Sequence, residues 1–247
     1  MPEPPNSGRF ETNSTPLNGA GKESGSHGSV PGAYAGRLHA DAGEFLGIFI
    51  LFGSPGSGKG TQAKLLSSRL EIPHISTGDM LRSQVELKTE IGTDVADLLS
   101  SGTLAPDDLV NWMVRMRIQQ PDCRKGFILD GYPRTTNQAQ ALESFLVDRQ
   151  DGIVVIHLQV DYNKIITRLT GRRHCPECGT IYNLQTKAPK RDSVCDRDGS
   201  ALIWRDDDRE EVIRQRLAGY EEKTAPVLDY LQSNGYRFVV EDGSAGT

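Results

Sequence analysis

The stretch IFILFGSPGSGKGTQAKLLSSRL, residues 48–70, constrains the fold more than any other part of the chain. Its first five residues are continuously apolar, which suits a strand buried on both faces of a parallel sheet. A glycine-rich loop follows at once, and a helical pattern then runs from about Lys59 to Leu70. Strand, loop and helix in that order carry the G-x-x-x-x-G-K core of a phosphate-binding loop at Gly53, Gly58 and Lys59. The glycines let backbone N–H groups turn inward around phosphate oxygens, the helix adds its positive end, and Lys59 adds a point charge. A glycine-rich turn with no ligand accounts for the loop alone. It does not account for strand, spacing, lysine and helix together. The usual Ser or Thr that holds Mg²⁺ after the lysine is replaced here by Gly60, with Thr61 one place later. A metal would then be held through the nucleotide, waters and an outer carboxylate, which argues against an ordinary motor, switch or transporter ATPase.

Strand and helix patterns alternate beyond this point. Short apolar runs at 72–76, 126–131, 152–160 and 237–242 read as four further strands. Helical patterns cover about 79–88, 91–100, 107–119, 137–148, 162–171, 208–222 and 226–233. Pro106 suits a first helical position, and Asp107 and Asp108 suit the positive end of the helix that follows. Alternation of this kind predicts an α/β fold, a five-stranded parallel sheet flanked by helices. Residues 1–46 differ: Gly, Pro, Ser and Asn make up 21 of the 46, with no apolar periodicity, so a disordered tail is expected. Its five acidic residues against three basic ones speak against an organelle-targeting peptide. At 36% hydrophobic and 25% charged, with a net charge of −5, the chain has the balance of a soluble globular protein. It lacks the concentrated basic face that nucleic acid or an anionic membrane requires. No apolar run approaches the ~18 residues of a membrane span.

The region 172–206 has no helical period and holds three of the four cysteines. Cys175-x2-Cys178 is followed, after sixteen residues, by Cys195-x2-Asp198. Two knuckles at such spacing build a tetrahedral zinc site, and Asp can ligate through oxygen. Four protein ligands make such a site structural rather than catalytic. A Cys175–Cys178 disulfide and unliganded thiols are the alternatives. His174 and Asp196 are substitute ligands, but each breaks the paired spacing. Cys123 stands alone and reads as a small core residue.

GSPGSGKGT (53–61), STGDMLR (76–82), LDGYPRT (129–135) and DDDREEVIRQR (206–216) together resemble the adenylate kinase family, over about 48–245 and in unbroken order. CPECGTIY (175–182) is similar to the first knuckle of that family's long, zinc-bearing lids, some of which use Asp as fourth ligand. The resemblance implies reversible, Mg²⁺-dependent phosphoryl transfer from ATP to AMP, giving two ADP. It implies a P-loop NTPase core at 47–75, 106–171 and 207–247, an AMP-binding arm at 76–105 and a zinc-stapled lid at 172–206. The attacking AMP oxygen is already anionic, so positioning and charge neutralisation dominate and no strong general base is needed. The implied catalytic cations are Lys59, Arg134, Arg172, Arg205 and Arg216. ATP would meet Gly56, Ser57, Gly58, Lys59, Gly60, Thr61, Arg168, Arg172, Ile181, Tyr182 and Ala245, with Arg168 stacked on adenine. AMP would meet Thr77, Arg82, Thr103, Leu104, Ala105, Gly131, Tyr132, Pro133, Arg134, Gln138, Arg205 and Arg216, with Gln138 reading the adenine edge. Asp130 would bind Mg²⁺ through water, as would Asp79, and either could instead cap a turn. Zn²⁺ would be held by Cys175, Cys178, Cys195 and Asp198. A lid of some thirty-five residues with little apolar content cannot build a core, so a metal would hold its shape.

A kinase for UMP or CMP is the nearer rival. Thr77, Gln138 and the long lid favour AMP, since pyrimidine kinases of the family usually have short lids. A GTP-using AMP kinase shares every feature named. A nucleic-acid-binding zinc ribbon is the remote rival. The basic His174, Lys187, Lys190 and Arg191 suggest it, but Asp192, Asp196, Asp198 and Asp206–Asp208 cancel them. The expected partners are therefore the nucleotides ATP, AMP and ADP, with no nucleic acid and no membrane, in a cytoplasmic monomer. The resemblance also expects a helix after the last strand, where this sequence reaches Thr247. Apolar surface exposed beside 237–240 and reduced stability are the expected consequences.

Overall fold

The computed structural model describes residues 47–146 and 152–244. The tail at 1–46 and Ala245 lie outside the described residues. Strand β1 (Gly47–Phe52) is buried along its whole length, as its apolar run requires. It pairs in parallel with β3 (Gly126–Asp130) on one side and β4 (Gly152–Gln159) on the other. Strands β2 (His74–Ser76) and β7 (Arg237–Asp242) complete a five-stranded sheet in the order β2-β3-β1-β4-β7, with every pairing parallel. The phosphate loop thus leaves the central strand at its C-terminal end. Beside it lie the ends of β3, β2 and β4, where open α/β sheets collect ligands.

Side-chain alternation on β1 divides the core. Ile48, Ile50 and Phe52 face the larger layer with Val114, Phe127, Leu129, Leu142 and Leu231. Phe49 and Leu51 face the other, with Ala63 of α1 (Lys59–Leu70) and Ile128. Each fully buried Ile, Leu, Val or Phe among them contributes roughly 1.5–3 kcal/mol of transfer free energy. Over the larger layer lie α4 (Asp107–Ile118) and α5 (Thr136–Phe145). So does α8 (Ala225–Ser233), which continues from α7 (Glu210–Gly219) through a single π turn at Tyr220–Thr224. The expected helix at 137–148 ends at Phe145, and residues 147–151 lie outside the described part.

Two excursions leave this core. Between β2 and α4 the chain forms α2 (Thr77–Glu86) and α3 (Glu90–Ser101), packed as a hairpin. Helix α2 begins two residues earlier than its apolar pattern suggests, because the Ser76 hydroxyl accepts from Asp79 N–H and caps it. The second excursion follows α6 (Tyr162–Thr170) and starts with the antiparallel pair β5 (Arg172–His174) and β6 (Ile181–Asn183). Further bridges join His174 to Ile203 and Val194 to Ala201. Its core is only Cys175, Tyr182, Cys195 and Leu202, with Cys178 alongside. On β7, Phe238 is partly buried against the larger layer, Val239 is also half-buried and Val240 is 55% exposed. Among the described residues, no helix is long and apolar enough to cross a membrane.

Candidate active site

One cleft of about 960 Å³ opens at the C-terminal edge of the sheet, between the α2–α3 hairpin, the phosphate loop and the β5–β6 excursion. Gly58 starts helix α1 in a left-handed conformation (φ 98°), which frees the loop to curl back over the helix end. Lys59 Nζ donates to the carbonyls of Gly53 at 2.7 Å and Ser54 at 2.9 Å. Burial and the guanidiniums of Arg134, Arg216 and Arg172 lower its pKa to about 8, against an opposing pull from Asp130. Asp130 ends β3, lies 3.3 Å from His74 Nε2 and points its Oδ2 at Gly60. A β-carbon at position 60 would sit 3.3 Å from that carboxylate.

Five arginines converge on the same space. Arg134 Nε donates to the Gly131 carbonyl at 2.9 Å, and burial with the neighbouring Arg216 lowers its pKa to about 10. Arg172 makes a two-pronged contact with Asp208, with its Nε at 2.7 Å, and Asp208 is fully buried. Arg216 Nη1 bonds the Asp207 carbonyl at 2.9 Å and carboxylate at 3.0 Å, and reaches Asp208 at 3.5 Å. Arg82 is paired with Asp79. Arg205 Nε is buried with no partner among the described residues, and burial with Arg82 and Arg172 brings its pKa down to about 10. Guanidiniums stay charged at such values. The cleft therefore gathers more cations than carboxylates, an arrangement suited to phosphate groups.

Most of the residues proposed from sequence line this cleft: Gly56 to Thr61, Arg82, Thr103, Leu104, Asp130 to Arg134, Arg168, Arg172, Ile181, Arg205 and Arg216. Thr77, Ala105 and Gln138 stand just behind it, buried. Thr77 Oγ1 donates to the Gly131 carbonyl at 2.8 Å. Gln138 accepts from Arg134 N–H at 2.8 Å and donates to Asp107 at 2.7 Å. The Tyr182 ring reaches the cleft wall, yet its hydroxyl turns into the excursion's core and accepts from Asp196 N–H at 2.7 Å. Arg168 donates to the Ser244 carbonyl at 3.3 Å, one residue short of Ala245.

Sequence reasoning took Asp206–Asp208 only as a charge run. It missed that Asp207 and Asp208 anchor two of the arginines. It also missed Lys64, whose Nζ donates to the Gly179 carbonyl at 2.7 Å and ties α1 to the β5–β6 excursion. Nothing in a one-dimensional pattern marks one Asp of three for burial.

At the far end of the excursion, one ligand atom from each of Cys175, Cys178, Cys195 and Asp198 lies within 4.8 Å of the other three. The two knuckles have the same turn. Cys175 N–H bonds Thr180 and Cys195 N–H bonds Ser200; Gly179 and Gly199 each return an N–H to the cysteine carbonyl. Both glycines take the left-handed region (φ 64° and 78°), which explains why glycine follows each knuckle. Backbone N–H groups of Cys178 and Arg197 point at the sulfurs of Cys175 and Cys195. The cysteines are not joined in disulfides. His174 belongs to β5 and Asp196 bonds Lys190 N–H, and neither joins the four. These donors fit a tetrahedral zinc ion.

A family profile described as Adenylate kinase matches residues 51–236. A protein of Oceanobacillus iheyensis named adenylate kinase is 47% identical over 188 residues, covering 76% of this chain and 87% of that protein. Another, from Pseudothermotoga lettingae and of the same name, is 49% identical over 182 residues, covering 73% and 84%. A third, from Thermosipho melanesiensis and also of that name, is 47% identical over 196 residues, covering 79% and 91%.

Proposed function

Because this chain belongs to the adenylate kinase family and transfers a phosphoryl group reversibly between ATP and AMP, we propose a division of that work among its cleft residues. The observation that carries it is the convergence of Lys59, Arg82, Arg134, Arg172, Arg205 and Arg216 on one cleft beside a phosphate loop. Loop N–H groups from Gly56 to Thr61 and Lys59 hold the donor's phosphates. Arg82, Arg134 and the backbone of Gly131 to Pro133 hold the AMP phosphate, and Arg134 also faces the phosphoryl group in transit. Arg172, Arg205 and Arg216 meet the phosphoryl group in transit, fixed in place by Asp207 and Asp208. The AMP oxygen attacks in line and needs no base; the cations stabilise the charge that spreads over the equatorial oxygens. Gln138 uses one N–H and one lone pair on Asp107 and Arg134, and the second of each is what adenine would engage. Thr77 and Ala105 shape the acceptor pocket from behind, and Thr103 and Leu104 line its mouth. Arg168 covers the donor adenine, with Ile181 and Tyr182 of the lid against ATP.

Mg²⁺ bound with ATP would supply neutralisation of the phosphate charge. Asp130 would hold its waters, as would Asp79. Zn²⁺, when bound, cross-links the two knuckles of the lid. Cys175, Cys178, Cys195 and Asp198 would hold it, so that residues 172–206 move as one piece over ATP and exclude water. The core, the AMP-binding arm at 76–105 and this lid are the working parts. The protein works as a monomer in the cytoplasm. Replacing Arg134 or Arg216 with Ala tests the scheme. In a coupled assay each variant loses about 10²-fold or more in kcat, as when one preorganised donor is removed from a reacting centre. Loss in KM alone would leave these residues as binders only.

A further inference from the structure

Asp107 is the first residue of α4, where a carboxylate ordinarily serves the positive end of its own helix. Its neighbour Asp108 does so from the exposed surface. Asp107 instead turns both oxygens to the start of α5. Oδ2 accepts from the Thr135 hydroxyl at 2.7 Å and from Asn137 Nδ2 at 3.2 Å. Oδ1 accepts from Gln138 Nε2 at 2.7 Å. On its other side, Gln138 Oε1 accepts from Arg134 N–H at 2.8 Å.

These two partners decide which end of the amide is which. A main-chain N–H only donates, so it requires the amide oxygen; an ionised carboxylate only accepts, so it requires the amide nitrogen. Turning the amide over would set its oxygen against Asp107 and its N–H against Arg134 N–H. Two repulsions would replace two bonds at a side chain that is 2% exposed. One N–H and one lone pair of the amide remain, beside a segment whose Tyr132, Pro133 and Arg134 line the cleft. Adenine offers a ring nitrogen as acceptor and an amino group as donor. Hypoxanthine and guanine offer a ring N–H as donor and a carbonyl as acceptor, the reverse order. A loose amide would turn to suit either; a held one suits one order alone.

We propose that Asp107 is a specificity-determining positioning residue: by holding the Gln138 amide in one direction, it makes the acceptor site select a 6-aminopurine monophosphate against a 6-oxopurine one. A 6-oxopurine would leave buried polar groups facing their own kind, which is how a hydrogen-bonding pocket rejects a near-isostere. The inference rests on the reading of Gln138 as the residue that meets the acceptor base, so the test includes both positions.

The full chain is assayed with ATP and Mg²⁺ against AMP and inosine monophosphate, as wild type, Asp107→Ala, Asp107→Asn, Asp108→Ala and Gln138→Leu. Unfolding temperature is measured on each. Wild type is expected to favour AMP in kcat/KM. Asp107→Ala is expected to narrow the AMP-to-inosine-monophosphate ratio about tenfold, the worth of one hydrogen bond to a charged group, with the KM for ATP within about twofold. Asn, whose oxygen still accepts from Nε2, keeps most of the ratio. Asp108→Ala removes a charge from the same helix end and leaves the ratio at its wild-type value. If Asp107→Ala lowers kcat/KM for both acceptors in parallel, with Gln138→Leu impaired toward AMP, the inference alone is overturned and Asp107 merely anchors α5. Equal narrowing in Asp108→Ala also overturns it, as an effect of charge at the helix end. An unchanged KM for AMP in Gln138→Leu overturns the base-reading role beneath it.

Discussion

Lys59 is a cation buried among cations, and burial lowers its pKa to about 8 from an ordinary 10.5. Between those values the unfolded chain binds more protons than the folded one. Stability of the ligand-free protein therefore rises with pH from about 8 to 10.5 on account of this residue, and its cost is fully present below 8. ATP favours the charged form, so ATP binding above pH 8 takes up a proton and weakens as pH rises. Titration calorimetry at pH 8.5, in buffers of different ionisation enthalpy, is expected to report proton uptake in wild type and none from this source in Lys59→Met. Asp208 presents the opposite case, an anion between two arginines. Asp208→Asn leaves Arg172 buried without its counter-charge and Arg216 with Asp207 alone, and is expected to cost about 3 kcal/mol in denaturant unfolding, besides lowering kcat. The lysine was legible from its spacing in the loop. Asp208 was not, because burial of one residue in a run of three aspartates is decided by where Arg172, thirty-six residues earlier, returns to meet it.

Elements with strong periodicity were legible in the sequence, and those stabilised by distant partners were not. All five strands of the sheet announced themselves as apolar runs, and the structure keeps each within two residues of the expected ends. Strands β5 and β6 have three residues each, too few for a period, and exist because the knuckles fold the chain back on itself. The small core of the β5–β6 excursion is what the proposed zinc would hold in order. Chelation is expected to release about one zinc per chain, melt the lid at lower temperature than the core and abolish transfer, read by metal analysis with calorimetry. Asp198→Asn weakens zinc retention without unfolding the core. In the arm, Gly92 passes so close to α2 that an added β-carbon would lie 2.0 Å from the Gln84 carbonyl. Gly92→Ala is expected to cost about 1–3 kcal/mol in unfolding and to raise the KM for AMP more than that for ATP.

At the scale of the whole molecule, the fold's contribution is to bring separated cations to one place. Lys59 comes from the start of α1, Arg134 from the segment after β3, Arg172 from β5, Arg216 from α7 with Arg205 ahead of it, and Arg82 from α2. The glycine loop and its strand foretold the sheet edge where they meet. The tie of Lys64 to the lid, and the buried aspartates that aim the arginines, depend on contacts between elements and have no linear signature. Turnover by the purified protein with ATP and Mg²⁺, offered AMP, UMP, CMP and GMP in turn, tests the central claim most directly. The account predicts fast turnover with AMP and little with the other three. Equal or faster turnover with a pyrimidine monophosphate, or none with any acceptor by folded, zinc-loaded protein, would contradict it.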